Sequence, residues 1–176
     1  MPTTVQILKP EDAQSYRALM LEAYAQSPDA FTSTPEERAA EPEAYWTRRI
    51  ADGSGLSVAF GAYVEDGLVG TAALEFSAKP KTKHKALLIG MYVSPKARGR
   101  SLGKQLIQAA IHFVQARAGT TVITLTVTQG NDSAINLYRA AGFAEFGTEP
   151  MAILTRSGYK AQVHMWLPVQ VQGAAA

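Results

Sequence analysis

The sequence predicts a single α/β domain built on a mixed, mainly antiparallel sheet flanked by helices, and three features lead there. Strand-like and helix-like segments follow one another in the order β-α-α-β-β-β-α-β-α-β-β. Glu65-Asp66-Gly67 separates the strand-like runs 57–64 and 68–76, and Asp-Gly between such runs marks a hairpin. The run 86–93 is almost wholly apolar and reads as a central strand with both faces covered. A length of 176 residues fits one ordinary domain, taken here as 1–170, with 171–176 as a frayed tail ending in Gly173 and three alanines.

Each element has its own justification. Val5-Gln6-Ile7-Leu8 alternates and opens the sheet. Tyr16, Leu19, Met20 and Ala23 recur at helical spacing over about 11–26, and Ser27-Pro28-Asp29 breaks that helix. Thr34 as N-cap, Pro35 at the first helical position and Glu37 completing a capping box start a second helix, expected to run to about Ile50. That helix presents Tyr45, Trp46 and Ile50. Asp52-Gly53-Ser54-Gly55 turns into the hairpin, and Lys79 to Lys85 is a polar loop after it. Ser94 to Gly103 is loop-like; Leu102, Leu106, Ala109 or Ala110 and Phe113 then begin a helix that ends near Gly119. Thr121 to Thr128 alternates, with Ile123, Leu125 and Val127 on one face. Gly130-Asn131-Asp132-Ser133 opens a last helix bearing Ala134, Leu137, Tyr138 and Ala141, which Gly142 stops in a left-handed cap. Residues 143–148 and 160–168 read as the final strands, and no internal repeat or long linker divides the chain.

Composition narrows the function classes. With 47% hydrophobic and 18% charged residues the chain is apolar enough for a core, which excludes disorder. Seventeen basic against fifteen acidic residues give a formal charge of +2, without the concentrated basic stripe of a nucleic-acid binder. One local cluster, Lys96, Arg98, Arg100 and Lys104, suits a single compact anion. The absence of cysteine removes disulfides, thiolate metal sites and a cysteine nucleophile. No His/Asp/Glu spacing points to a metal, and no Gly-x-Ser-x-Gly elbow supplies a serine nucleophile. Neither a secretory signal in Met1 to Gln6 nor an apolar stretch near the ~20 residues of a membrane span is visible. The expectation is a soluble cytoplasmic protein with no metal, membrane or nucleic-acid partner.

The most informative segment leads from a buried strand through Val93-Ser94-Pro95-Lys96-Ala97-Arg98-Gly99-Arg100-Ser101-Leu102-Gly103-Lys104 into a helix. The first amides of a helix lack internal partners and sit at the positive end of its dipole, so an anion is stabilised there. Small residues let backbone approach a phosphate, consecutive amides form a nest, and arginine adds bidentate contacts. A P-loop is excluded because three residues separate Gly99 from Gly103 and Gln105 follows Lys104. A dinucleotide fingerprint is excluded because Ser101 and Lys104 occupy its later glycine positions.

Arg98-Gly99-Arg100-Ser101-Leu102-Gly103 resembles the acetyl-CoA signature of the GNAT family of N-acetyltransferases, Arg/Gln-x-x-Gly-x-Gly/Ala. Ser101 stands where that family usually has glycine; it keeps the amide but loses glycine's backbone freedom. Asn131-Asp132-Ser133-Ala134-Ile135-Asn136-Leu137-Tyr138-Arg139-Ala140-Ala141-Gly142-Phe143 is similar to the family's later motif, and the match to its core spans roughly 56–168. The resemblance implies a GNAT-like fold, acetyl-CoA as co-substrate, and direct transfer to a primary amine on a small molecule or peptide. It assigns Met91, Tyr92 and Val93 to the pantetheine arm, a backbone amide there polarising the carbonyl, a donor worth about 3 kcal/mol. It assigns Arg98, Gly99, Arg100, Ser101, Leu102, Gly103 and Lys104 to the phosphates, Asn136 to the pantetheine amides, and Asn131 to helix cap and cofactor together. Tyr138 is the expected proton donor to the leaving thiolate. The general base stays open among a water chain, Glu75, His84 and Tyr92, while His112 and His164 read as structural or surface residues. The acceptor pocket falls at about 24–46, with Tyr24, Phe31, Tyr45 and Trp46 and the acids Asp29, Glu36 and Glu37 near its mouth. The resemblance further implies homodimers through the late strands. Two rival readings stand beside it: a non-catalytic acyl-CoA-binding or sensing module, and a basic surface module for phosphate or nucleic acid.

Overall fold

The computed structural model describes residues 2–170; the expected tail, 171–176, lies outside the described residues. The strands are β1 (Thr3–Ile7), β2 (Ser57–Val64), β3 (Gly67–Phe76), β4 (Lys85–Val93), β5 (Val122–Thr128), β6 (Ala144–Thr155) and β7 (Gly158–Pro168). The helices are α1 (Ala13–Gln26), α2 (Pro35–Ala39), α3 (Glu43–Ile50), α4 (Leu102–Ala116) and α5 (Asp132–Ala140). One seven-stranded sheet holds the strands in the order β1-β2-β3-β4-β5-β7-β6. Every neighbouring pair is antiparallel except β4 and β5, so the mixed, mainly antiparallel sheet expected from the sequence is the sheet observed. No helix among the described residues is long and apolar enough to cross a membrane.

The core lies on both faces. α4 covers one face with Leu102, Leu106, Ile107, Ala110 and Val114, all at most 2% exposed, which meet Leu74, Ile123 and Leu125 from the strands. Burying each such leucine or isoleucine is worth about 1.5–3 kcal/mol. On the other face α1 and α3 pack Tyr16, Met20, Trp46 and Ile50 over Ala59 and Ala73. The alternation read in the β5 segment is sound, because Ile123, Leu125 and Val127 are all buried.

The structure bears out the β2–β3 hairpin and corrects three expectations. The helix begun at Thr34 has the expected capping box, Glu37 N donating to Thr34 Oγ1 at 3.2 Å and Thr34 N to Glu37 Oε2 at 2.7 Å. It ends at Ala39, however, and α3 begins separately at Glu43. Pro42 accounts for the break, since it has no amide to give and biases Glu41 away from helical backbone. In the β2–β3 hairpin, Gly67 opens β3 opposite Val64, and the left-handed conformation falls on Glu65 (φ +55°). The late strands are longer than their sequence signal, because bulges after Glu145 and Glu149 break the period of two that would reveal them. Finally, β4 is central in position, but Lys85 and Leu87 are exposed, and its middle, Ile89-Gly90-Met91, is only half-buried. Its apolar character serves an opening in the sheet as well as the core.

Candidate active site

The opening follows from strand geometry. β4 and β5 pair in parallel at only Lys85–Val122, Ala86–Ile123 and Leu87–Thr124, after which they diverge. On its other edge β4 carries an extra residue against β3, between the pairs Ile89–Ala73 and Tyr92–Thr71, and Gly90 absorbs it with φ +60°. The remainder of β4 therefore presents unpaired backbone to a cleft of about 790 Å³, bounded by the start of α4 and by α5. All the residues expected to face a cofactor line this cleft except Arg100 and Tyr138.

The loop entering α4 has the conformation of an anion cradle. Gly99 (φ +79°) and Ser101 (φ +57°, ψ +20°) both adopt left-handed backbone. A side chain at Gly99 would meet nothing within 4 Å, so conformation alone requires glycine there. Gly103 has the opposite reason: a Cβ would lie 2.9 Å from Leu137 Cδ2 and 3.3 Å from Met91 Cε. Ser101 makes no capping hydrogen bond, and the first intrahelical bond runs from Gln105 N to Ser101 O at 3.0 Å. The amides of Leu102, Gly103 and Lys104 thus donate to no group among the described residues. Arg98 and Lys104 add positive charge on the lining, whereas Arg100 stands off it, its carbonyl accepting from Gln105 Nε2 at 3.3 Å.

A left-handed serine stores strain that glycine would not, roughly 1–2 kcal/mol, partly offset by glycine's greater unfolded-state entropy. Ser101→Gly is accordingly expected to stabilise the fold by about 1 kcal/mol, or about 2–4 °C in Tm for a chain of this size. Calorimetry of the two proteins checks it, and a lower Tm for the glycine form would contradict the strain.

α5 forms the second wall. Asn131 caps it, its Oδ1 accepting from Ala134 N at 3.4 Å, and also lines the cleft. Asn136 is exposed on the lining, with Arg139 Nη1 donating to its Oδ1 at 3.5 Å. Tyr138 is 6% exposed and stacks edge-on against Phe143, ring centroids 5.9 Å apart. Burial pushes its phenol well above the ordinary tyrosine value, so it remains a donor far beyond neutral pH.

Tyr138 lines a second, smaller cavity of about 320 Å³, on the α1–α3 side of the sheet. The two cavities share Ala30, Phe31, Met91, Asn131 and Ala134 on their linings. Of the aromatic residues expected around an acceptor, Tyr24 and Phe31 line it, whereas Trp46 is buried in the core. The acids expected at its mouth are elsewhere: Asp29 pairs with Lys160 at 2.6 Å, Glu37 completes the α2 cap, and Glu36 is not on the lining. Two arginines that sequence reasoning passed over, Arg38 and Arg49, take their place. Their only signal was basic character late in a helix, which reads as an ordinary dipole complement.

The three candidate bases separate. Glu75 is on the lining of the smaller cavity. His84 is exposed before β4, where its carbonyl accepts from Thr121 N, and lines neither cavity. Tyr92 turns its hydroxyl into α1, donating to Glu22 Oε1 at 3.0 Å beside Ser94 Oγ, which donates to the same oxygen at 2.7 Å. Burial, reinforced by that bond to Glu22, pushes Tyr92 up to about 12, which makes it a poor proton acceptor. Among the described residues no group of three or more His, Asp or Glu is placed to hold a metal ion.

A sheet divided beside a helix whose first amides are free offers both room and donors to an extended anion. Residues 18–143 match the acetyltransferase (GNAT) family, and the chain belongs to that family. The GNAT-like fold expected from the resemblance is the one observed. The chain is similar to the mycothiol acetyltransferase of Rhodococcus jostii, 32% identical over 130 residues, covering 72% of this chain and 40% of that protein. It is similar to the N-alpha-acetyltransferase RimI of Mycobacterium tuberculosis, 34% identical over 107 residues, covering 60% of this chain and 63% of that protein. It thus spans about two fifths of the length of the mycothiol acetyltransferase it matches. In three dimensions it resembles a phosphinothricin acetyltransferase from Sinorhizobium meliloti, solved in complex with acetyl-CoA. That likeness has a TM-score of 0.84 at 22% identity and covers 100% of this chain and 93% of the other.

Proposed function

We propose that this chain moves an acetyl group from acetyl-CoA directly onto a primary amine. The observation that supports it most is the meeting of two cavities at Met91, one leading from the free amides of α4, the other holding Tyr138. The residues present suit acetyl-CoA. Free helix-start amides with Arg98 and Lys104 match a pyrophosphate. The unpaired edge of β4 matches the amide-bearing arm, and Asn136 offers a side-chain amide beside it.

When bound, acetyl-CoA supplies an activated thioester carbonyl. The chain's own groups do the rest. A β4 amide at the bulge donates to the carbonyl oxygen as negative charge develops there. Tyr138 donates its phenolic proton toward the sulfur as it leaves. Glu75, on the cavity lining, is the base candidate best placed to receive the proton of the amine, directly or through water.

The test is thiol release from acetyl-CoA across a panel of amines, with coenzyme A binding measured by calorimetry on the same preparation. Saturable binding with amine-dependent thiol release is the expected result. Saturable binding without release under any amine would move the chain to the acyl-CoA-sensing reading, and no binding would remove both.

A further inference from the structure

The smaller cavity is unusual in its charge. Arg38 and Arg49 both lie on its lining, and their guanidinium carbons stand 5.0 and 5.5 Å from the centre of the Tyr45 ring. The Nε atoms of both are buried without a hydrogen-bond partner, as are the hydroxyls of Tyr16 and Tyr45. Arg38 has one carboxylate within reach, Glu41 at 3.6 Å through Nη1. Arg49 has none among the described residues; its polar surroundings are the phenols of Tyr16, Tyr45 and Tyr24. Glu75 also lines the cavity but pairs with neither arginine, so two positive charges there face one negative charge. Arginine cannot shed its proton, and two half-buried guanidinium groups on one cavity lining, one of them with no carboxylate beside it among the described residues, call for an oxyanion.

We propose that Arg38 and Arg49 form an oxyanion receptor, and that the acceptor is a small amine bearing its own acid group, in the simplest case a free amino acid. This rests on the acetyl-transfer reading above and specifies its second substrate. The acid oxygens take the guanidinium donors, while the amino nitrogen turns toward Gly90, Met91 and Tyr138 on the opposite lining. The amine, having given one proton to base or water, uses its lone pair to form a bond to the acetyl carbon. The C–S bond breaks with its electrons on sulfur, which takes a proton. The products are the N-acetylated acid and the free thiol, with one proton released from the starting ammonium. A volume of about 320 Å³ suits such a compact molecule.

The test uses the full chain and thiol release with alanine, leucine, methionine and glutamate, their α-carboxamides, and an alanyl peptide. 2-Aminoethylphosphonate serves as the phosphorus counterpart. At least one free acid, carboxylate or phosphonate, is expected to exceed its uncharged or peptide counterpart by about 10²-fold in kcat/KM, because a site built to bind a polar group rejects analogues lacking it. Arg49→Gln is expected to collapse that ratio to about fivefold or less, with Arg49→Lys between the two, since lysine keeps the charge without the fork. Arg38→Gln gives the same reading if the Arg49 variants do not fold. Carboxamides or the peptide turned over as well as the free acids would overturn the inference and leave acetyl transfer standing. If acetyl-CoA binds but no amine is acetylated, the acetyl-transfer reading fails, and calorimetry with coenzyme A present decides the receptor. Acids bound in preference to carboxamides uphold it, and equal or absent binding overturns it.

Discussion

Tyr138→Phe is expected to lower kcat by about 10²–10⁴-fold while leaving the acetyl-CoA Kd within about threefold, the pattern of an interaction made only as the leaving group departs. The substitution removes one oxygen and keeps the ring that packs against Phe143, so the fold and the long cleft are preserved. Tyr138 lines the smaller cavity together with Met91, which the long cleft shares. Burial raises the phenol above its usual value, so the protonated form persists as pH rises. The wild-type rate should therefore show no alkaline fall up to about pH 10, where an ordinary tyrosine would begin to ionise. Single-turnover kinetics on both proteins read the effect directly. An unchanged kcat would reduce Tyr138 to a packing residue, which its burial equally allows.

Gly103→Val is expected to weaken coenzyme A binding by about 30–100-fold, equivalent to about 2–3 kcal/mol. Even a methyl at this position would come within 2.9 Å of Leu137 and 3.3 Å of Met91. Both neighbours are flexible side-chain ends, so alanine is absorbed by a rotamer shift. Valine adds bulk that only a displacement of α5 from α4, or of Met91 into the cleft, can accommodate. Either movement disturbs the cradle without touching a charged group, which separates shape from charge in the binding. Calorimetric titration, with circular dichroism to confirm the fold, is the check. Undiminished affinity would mean that the start of α4 does not hold the ligand.

How much of this was legible in the sequence depends on whether a residue's role is local. The place of the α4 loop was legible because small residues and arginines cluster between a strand and a helix; the left-handed backbone at Gly99 and Ser101 was not, since serine rarely adopts it. Asn131 was legible as a cap because capping is settled within four residues. Pro42 also carried a local signal; the strength of the Thr34 capping box obscured it. Other features depended on tertiary placement. Nothing near Arg38 or Arg49 in sequence reveals that two short helices bring both to one cavity. The exposed start and half-buried middle of β4 were likewise hidden, since an apolar run looks alike whether it faces core or cleft. Tyr92 shows the same limit: its candidacy as a base was open until its hydroxyl was found committed to Glu22, seventy residues earlier.

The divergence of β4 from β5 has a further bearing on the architecture. Past Leu87 and Thr124 the two strands cannot satisfy each other's polar main-chain atoms, and such atoms do not stay bare. Whatever enters that gap, water or an extended amide-bearing molecule, completes a ladder that the polypeptide leaves unfinished. By mass action a tightly held occupant then adds to the free energy of the native state, about 2.7 kcal/mol when present at a hundred times its Kd. Under the proposed function the acetyl donor is in this sense a removable rung of the scaffold, and its supply becomes one of the quantities that determine how long the folded chain endures.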